Sequence, residues 1–276
     1  IASYLNLAPA ADSVFFLRSE SRSSIDCLLL LAVLGSFSFD YQARLRLGGL
    51  NMSEFVLVDT VLPRRSEVGA VQDELLGLVG PLALCAPAFA PEWLGVFGSG
   101  GPPWRSRWAL TGHERLRLCC MLDAVVARLY GLERSDMERI LTDCDRPREF
   151  LAERSLELNP KGHWRVDKDR RPEHRHSVLT LVASRDLERC IAESCGDPLA
   201  GIRAFCAANR GQGWQLPETL CLAELGLGHD ERARSEQPVR SCFGPRFLPE
   251  QLAAEDDCAF HAERVSALHR ELREAL

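Results

Sequence analysis

The segment spanning residues 37–63 constrains the fold of this chain most, because a helical pattern gives way in it to a strand-like one. An apolar helical run feeds into it from Ile25, and an arginine-bearing helical stretch continues to Leu47. Gly48-Gly49 then breaks the periodicity, since paired glycines mark turns. Residues 55–58 follow as a β-branched and aromatic run that stops at Leu62-Pro63, where proline removes a ladder donor. The segment therefore predicts helix, turn and strand in close succession.

Most of the other signals along the chain are helical. Ser23 or Ser24 is placed to cap a helix that is apolar on all sides, which favours burial. Thr111 and Ser135 each begin a capping-box pattern, and Pro198 suits the first turn of a helix. The predicted helices cover residues 24–34, 37–47, 67–84, 111–130, a short stretch from 135, 177–193, 198–208 and 249–276.

Together these patterns predict an α+β chain that is predominantly α-helical. Residues 1–66, with strands at 14–17 and 55–58, form a small mixed α/β N-terminal part. Residues 67–276 form a helical domain that extends from it.

Composition limits the possible environments and partners. The net charge of −6 and the pI near 5.7 provide no global attraction to nucleic acid, so any DNA contact must come from local basic patches. The 11 cysteines are odd in number and follow no secretory signal, which predicts free thiols in the cytoplasm. The longest apolar run, at 27–34, is too short to span a membrane. Because the chain begins Ile1-Ala2-Ser3, we expect a fragment of a longer protein.

Three stretches resemble one known family. The first has a spaced aromatic, arginine and glycine pattern followed by Leu-Pro, and consists of Phe39, Asp40, Tyr41, Ala43, Arg44, Arg46, Gly48, Gly49, Asn51 and Leu62-Pro63. It resembles the closing part of the target-recognition region in large adenine-N6 DNA methyltransferases of restriction and phage-defence systems. Two later stretches, at 122–141 and 213–233, resemble the helical tail of the same proteins.

The resemblance implies a DNA-recognition and scaffold portion that is not catalytic by itself. It assigns residues 1–66 to the end of the target-recognition domain and residues 67–276 to the helical extension. S-adenosylmethionine would bind in the complete protein, upstream of Ile1. The implied partners are double-stranded DNA, the upstream methyltransferase domain and other subunits of a defence system.

Candidate DNA contacts near the N-terminal motif are Arg44, Arg46, Asn51, Arg64 and Arg65. Guanidinium groups match both phosphate oxygens and guanine edges, and asparagine can read adenine. The alternatives are a surface ion pair from Asp40 to Arg44 at i,i+4, and a turn closed by Asn51.

A second set of candidate DNA contacts lies in the most basic stretch of the chain, at 161–176. It surrounds Trp164 and comprises Lys161, Arg165, Lys168, Arg170 and Arg171, with Arg175 further along. Cations beside an aromatic ring suit a nucleic-acid backbone. The alternative is that Asp167, Asp169 and Glu173 pair with these cations on a solvated loop.

Weaker patterns point to no catalytic group or metal. Pro102-Pro103-Trp104 is similar to the motif with which amino-methyltransferases hold a flipped base, but Gly101 supplies no acceptor for the exocyclic amine. His174 and His176 are two apart without a nearby third ligand, and we interpret them as residues at a helix start.

Two other functional classes stay open. One is a helical module that docks a partner subunit of a defence complex, which the acidic pI favours. The other is an independent hydrolase, which would need a pocket joining His229 or His176 to a carboxylate.

Overall fold

The computed structural model describes residues 23–48, 52–84, 89–98, 109, 112–216, 219–220 and 237–238. In these residues regular structure is almost entirely helical, which confirms the predominantly helical character. The helices are α1 (Ser24–Leu34), α2 (Phe37–Arg46), α3 (Glu54–Asp59), α4 (Arg65–Ala70), α5 (Gln72–Ala83), α6 (Ala90–Phe97), α7 (Gly112–Leu129), α8 (Arg134–Ile140), α9 (Arg148–Glu153), α10 (His176–Glu193) and α11 (Pro198–Gly211). Two-residue antiparallel strands, β1 (Thr219–Leu220) and β2 (Gln237–Pro238), pair with each other.

Several expectations lie outside the described residues. These are the strand at 14–17, Gly49 of the glycine pair, Asn51, the loop at 99–104, the stretch 226–233 and the helix at 249–276.

Local capping explains where the best-predicted helices begin. The Ser23 side chain accepts a hydrogen bond from the Asp26 N–H at the start of α1, as predicted. Ser36 accepts in the same way from the Phe39 N–H at the start of α2. The Asp197 carboxylate accepts from the N–H groups of Leu199 and Ala200 at the start of α11.

The mixed α/β character predicted for the N-terminal part is not seen, because residues 55–58 lie in helix α3 rather than in a strand. Val56 and Leu57 pack against a small cluster that contains Val33, Phe39 and Ala43. The Thr60 hydroxyl donates to the Val56 carbonyl at 2.6 Å across one helical turn. A short apolar run fits a helix as well as a strand, and here the tertiary contacts favour the helix.

Three smaller details also differ from the prediction. The helix expected over 67–84 is divided at Val71, which separates α4 from α5. The box expected from Ser135 is shifted, so that Asp136 Oδ2 accepts from the Glu133 N–H. Leu45, which its i, i+4, i+8 spacing with Phe37 and Tyr41 predicts to face inward, is 55% exposed.

The main core is built by α7 and α10, which pack along each other. Met121, Val125 and Val126 of α7 meet Val178 and Val182 of α10 in one buried cluster. Leu28, Leu29 and Ala32 of α1 belong to the same cluster, so residues before and after the boundary predicted at 66 share a core. A second cluster contains Leu141, Leu151 and Trp164 and lies beneath residues 161–171.

No single helix in the described part of the chain is long and apolar enough to cross a membrane. One pair passes that test together by length and composition alone, namely α1 and α2, which are bent by 67°.

Candidate nucleic-acid interface

Residues 161–171, here called the basic segment, run along the surface between α9 and α10. A 3-10 turn at His163–Arg165 buries Trp164, whose Nε1 donates to the Asn159 carbonyl at 2.8 Å. A second 3-10 turn, Pro172–His174, follows the segment, and α10 begins at His176. The segment is therefore anchored near both ends while its middle stays at the surface.

The basic segment is attached to the end of α2. Lys161 Nζ donates to the Leu47 carbonyl at 2.9 Å, and Arg44 donates in return to the carbonyls of Lys161 and Gly162. Asp40 joins the two elements as well, because its Oδ2 lies 2.8 Å from Arg44 Nε and 3.2 Å from His163 Nε2. The structure thus brings together the two stretches of basic residues that the sequence separates by more than a hundred positions.

The carboxyl of Asp40 has a lowered pKa at this position. Burial raises the pKa of its carboxyl, but the hydrogen bonds with His163 and Arg44 outweigh that cost and lower the pKa to about 2. The carboxylate is therefore charged at neutral pH and holds α2 against the segment.

Of the three acidic residues that interrupt the basic stretch in sequence, two have partners outside the basic segment and the third is buried. Asp167 Oδ2 accepts from the His176 N–H at 2.6 Å and so caps the start of α10. Asp169 pairs with Arg148 at 3.4 Å, and Glu173 is completely buried. Within the described residues, these acids therefore form none of the ion pairs with neighbouring exposed cations that the alternative expects, although Asp169 itself stays exposed at the surface.

The cations of the segment remain exposed as a result. Their side chains reach the surface at Lys161, Arg165, Lys168, Arg170 and Arg171. Within the described residues, no ion-pair contact of 4.0 Å or less joins any of the five to a carboxylate. Arg165 lies over the Trp164 ring, 5.5 Å from its centroid. Five cations and two carboxylates on eleven residues leave a local net charge of +3 on an acidic protein.

The positive charge also acts on His174. Burial, together with the nearby charges of Arg171 and Arg170, lowers the pKa of this imidazole to about 4. His174 is therefore neutral at physiological pH, and as a buried residue next to the first turn of α10 it agrees with its interpretation as a helix-start residue.

The candidate contacts near the N-terminal motif differ in their surroundings. Arg44 forms the predicted i,i+4 pair with Asp40, at 2.7 Å, and has a side-chain exposure of 28%. Arg46 is exposed and donates to the Gln42 carbonyl. Arg64 and Arg65 are 84% and 95% exposed, with long contacts of 3.9 Å to Glu67 and Asp26. Contact between these residues and DNA stays a prediction.

A His-Asp pair, with a buried carboxylate and a partly exposed imidazole, was not anticipated as a unit. His176 Nε2 lies 2.8 Å from Asp123 Oδ2, and the Phe37 N–H donates to Asp123 Oδ1. Burial lowers the pKa of His176, but Asp123 outweighs it and the net pKa is raised. An acidic residue on the apolar face of α7 was the signal that could have indicated this pair.

This pair has the geometry of an internal clamp. Asp123 is 3% exposed, and both of its oxygens face protein groups. The Phe37 ring lies 4.7 Å from the His176 ring, whose side chain is 26% exposed.

The described residues also show no site that matches a metal or S-adenosylmethionine. They contain no group of three or more His, Cys, Asp or Glu side chains arranged to hold a metal ion. A Rossmann-like cofactor site needs a strand, a glycine turn and a helix in succession, and the elements in the described part of the chain do not fit that order.

Comparison with family models, with curated proteins and with solved structures found no match for this chain.

Proposed function

We propose that this chain binds double-stranded DNA through the basic segment, as the DNA-recognition and scaffold portion of a site-specific adenine-N6 DNA methyltransferase. The methyltransferase context comes from the sequence resemblance alone. The DNA-binding part of the proposal is supported separately, by the charges around residues 161–171.

The observation that carries the proposal is the separation of acids from cations within one short stretch. Asp167 caps α10, Asp169 pairs with Arg148 and Glu173 is buried. The neighbouring lysines and arginines consequently keep their charge available at the surface. On a protein of net charge −6, cations concentrated on one short surface stretch create a local positive potential, which favours an anionic partner.

A polymeric phosphate backbone fits the arrangement better than a single small anion. The cations are spaced over eleven residues of surface turns, and no enclosed anion site is needed for such contacts. Duplex DNA presents one charge per about 1.7 Å of helix axis, so several side chains of one segment can each meet a phosphate. Arg44 on α2 donates to the backbone of the basic segment and so holds it in place. Arg46, two residues further along the chain, is exposed.

In this proposal the chain performs no methyl transfer on its own. Phosphate contacts position a protein on the duplex, whereas the sequence is read at base edges, for which Arg46, Asn51, Arg64 and Arg65 are the candidates. S-adenosylmethionine and the catalytic groups belong to the methyltransferase domain of the complete protein.

The test is a titration of a fluorescent duplex with the protein at several salt concentrations. The variant Lys168→Gln/Arg170→Gln/Arg171→Gln removes three exposed cations of the basic segment. We expect weaker binding and a salt dependence that is flatter by about 0.9 per lost phosphate contact, or about 2 to 3 in total. The matched control, Arg139→Gln/Arg154→Gln/Arg189→Gln, removes three exposed cations elsewhere and should change both quantities much less. Equal effects of the two triple variants would contradict the proposal.

A second candidate function is the docking of a partner protein. It is favoured by the apolar side chains that α3 and the following residues leave in solvent, with Phe55 81%, Val58 74% and Val61 60% exposed. The variant Phe55→Ser/Val58→Ser should keep the thermal midpoint, since neither side chain is buried. If the chain is a docking module, this variant should no longer bind the partner protein. The wild-type protein should then show no duplex binding in the salt titration, and this result separates the two functions.

A further inference from the structure

Arg175 lies directly behind the basic segment and is the largest fully buried side chain in the described residues. A buried guanidinium is costly unless its N–H groups are satisfied. Here they are met by backbone. Nε donates to the Arg170 carbonyl at 3.1 Å, and Nη2 donates to the Lys168 carbonyl at 3.0 Å. Nη1 donates to the carbonyls of Cys144 and Arg146.

These four hydrogen bonds join two stretches of chain. Two of them reach the turn after α8, at Cys144 and Arg146, and two reach the basic segment at Lys168 and Arg170. Only a planar, five-donor group can satisfy carbonyls on both sides at once, whereas a lysine ammonium is a compact point charge. The backbone path at 168–170 therefore depends on the guanidinium shape of Arg175.

Asp167 provides a second anchor next to the first. Its Oδ2 accepts from the His176 N–H at 2.6 Å, immediately after Arg175 in the chain. The stretch from 167 to 176 is thus closed into a compact loop by a side chain from each end. Lys168, Arg170 and Arg171 lie on the outside of this loop and are exposed.

We propose that Arg175 is the positioning residue of the DNA-binding surface, acting with Asp167 to hold the exposed cations of the basic segment in one arrangement. This inference rests on the proposed DNA-binding function. A cation on an ordered backbone loses less conformational freedom when it meets a phosphate than one on a mobile loop. Arg175 itself does not touch DNA, because it is inaccessible.

The experiment compares Arg175→Lys with Arg117→Lys. Arg117 is a second buried arginine that donates to backbone carbonyls, at Gln212 and Trp214, on another part of the protein. Both variants keep the charge and both should lower the thermal midpoint. Only Arg175→Lys should weaken duplex binding, by about tenfold if the ordering of two or three side chains is lost. Only Arg175→Lys should speed amide hydrogen exchange at 166–171 while the amides of α10 stay protected.

An additional variant keeps the inference testable if Arg175→Lys does not fold. Asp167→Ala removes the other anchor and also makes the segment more positive, which by charge alone would tighten DNA binding. Faster exchange at 166–171 together with weaker binding would therefore support positioning. Tighter binding with unchanged exchange would overturn it.

The two proposals fail in different ways. If wild-type protein does not bind duplex at low salt, the proposed function is wrong, and hydrogen exchange alone still decides whether Arg175 orders the segment. If wild type binds and Arg175→Lys binds equally well with unchanged exchange, the positioning role is wrong and the DNA-binding proposal stands.

Discussion

The backbone N–H of Phe37 donates to Oδ1 of Asp123 at 2.7 Å, joining the start of α2 to the middle of α7 across 86 positions of sequence. The other oxygen of the same carboxylate lies 2.8 Å from His176 at the start of α10. One buried side chain therefore holds together the beginnings of two helices, and α2 in turn braces the basic segment.

Replacing Asp123 with Ala should destabilise the protein by about 3 kcal/mol, because it leaves the buried Phe37 N–H and the partly exposed His176 imidazole without their acceptor. Asp123→Asn keeps one acceptor oxygen and should cost less. Urea denaturation measures both. Asp169→Ala, which removes an exposed carboxylate, is the control and should stay within about 0.5 kcal/mol of wild type. A loss for Asp123→Ala no larger than the control would show that the clamp is not structural.

Asp40 should make stability depend on acid pH. Its folded pKa of about 2 is lowered below its ordinary value, so the stabilisation is present above the ordinary range of an aspartate and disappears as pH falls from about 5 to 2. Because the side chain is 35% exposed, we expect about 1 to 2 kcal/mol after allowing for solvent screening. Comparing the free energies of unfolding of Asp40→Asn and wild type over this pH range measures the stabilisation. The difference should shrink as pH falls, and a difference that is constant with pH would contradict the assignment.

Asp145 should act in the opposite direction. Burial raises its pKa to about 7, despite opposing effects from its own backbone and from Arg146 and Arg175. A raised pKa means that stability is complete below the ordinary aspartate range and is lost as pH rises through 7. Asp145→Asn should therefore raise the thermal midpoint at pH 8, corresponding to about 1 to 3 kcal/mol, and change little at pH 4. A lower midpoint at pH 8 would show that the ionised form is stabilising.

Gly201 should not tolerate a side chain, because α10 and α11 approach closely there. An added Cβ would lie 2.6 Å from the Ile191 Cα and 2.8 Å from its backbone nitrogen, neither of which can move independently of α10. Gly201→Ala is expected to cost about 2 kcal/mol or more by overpacking. Gly77→Ala, on a helix position with nothing within 4 Å of the new Cβ, should instead be neutral or stabilising by up to about 1 kcal/mol. Equal midpoints for the two variants would contradict the close packing.

Much of the helical framework could be predicted because its signals are local. The cap at Ser23, the Pro198 start and the apolar spacing of α7 and α10 each act within a few residues, and the structure confirms them. The run at 55–58 was interpreted wrongly as a strand because four apolar residues carry no period of their own. Packing against Val33, Phe39 and Ala43 decides its conformation, and those contacts are not visible in the run itself.

The candidate interface, too, could be predicted from the sequence only in part. By itself the sequence determined that the cations are concentrated at 161–171 and that acids alternate with them, which left both pairing and exposure open. Only the tertiary structure decided between them. It directs Asp167 to the start of α10, Asp169 to Arg148 and Glu173 into the interior, while Arg175 turns inward to bind backbone. Charges neutralise one another according to their distance and burial in space, and spacing along the chain specifies neither.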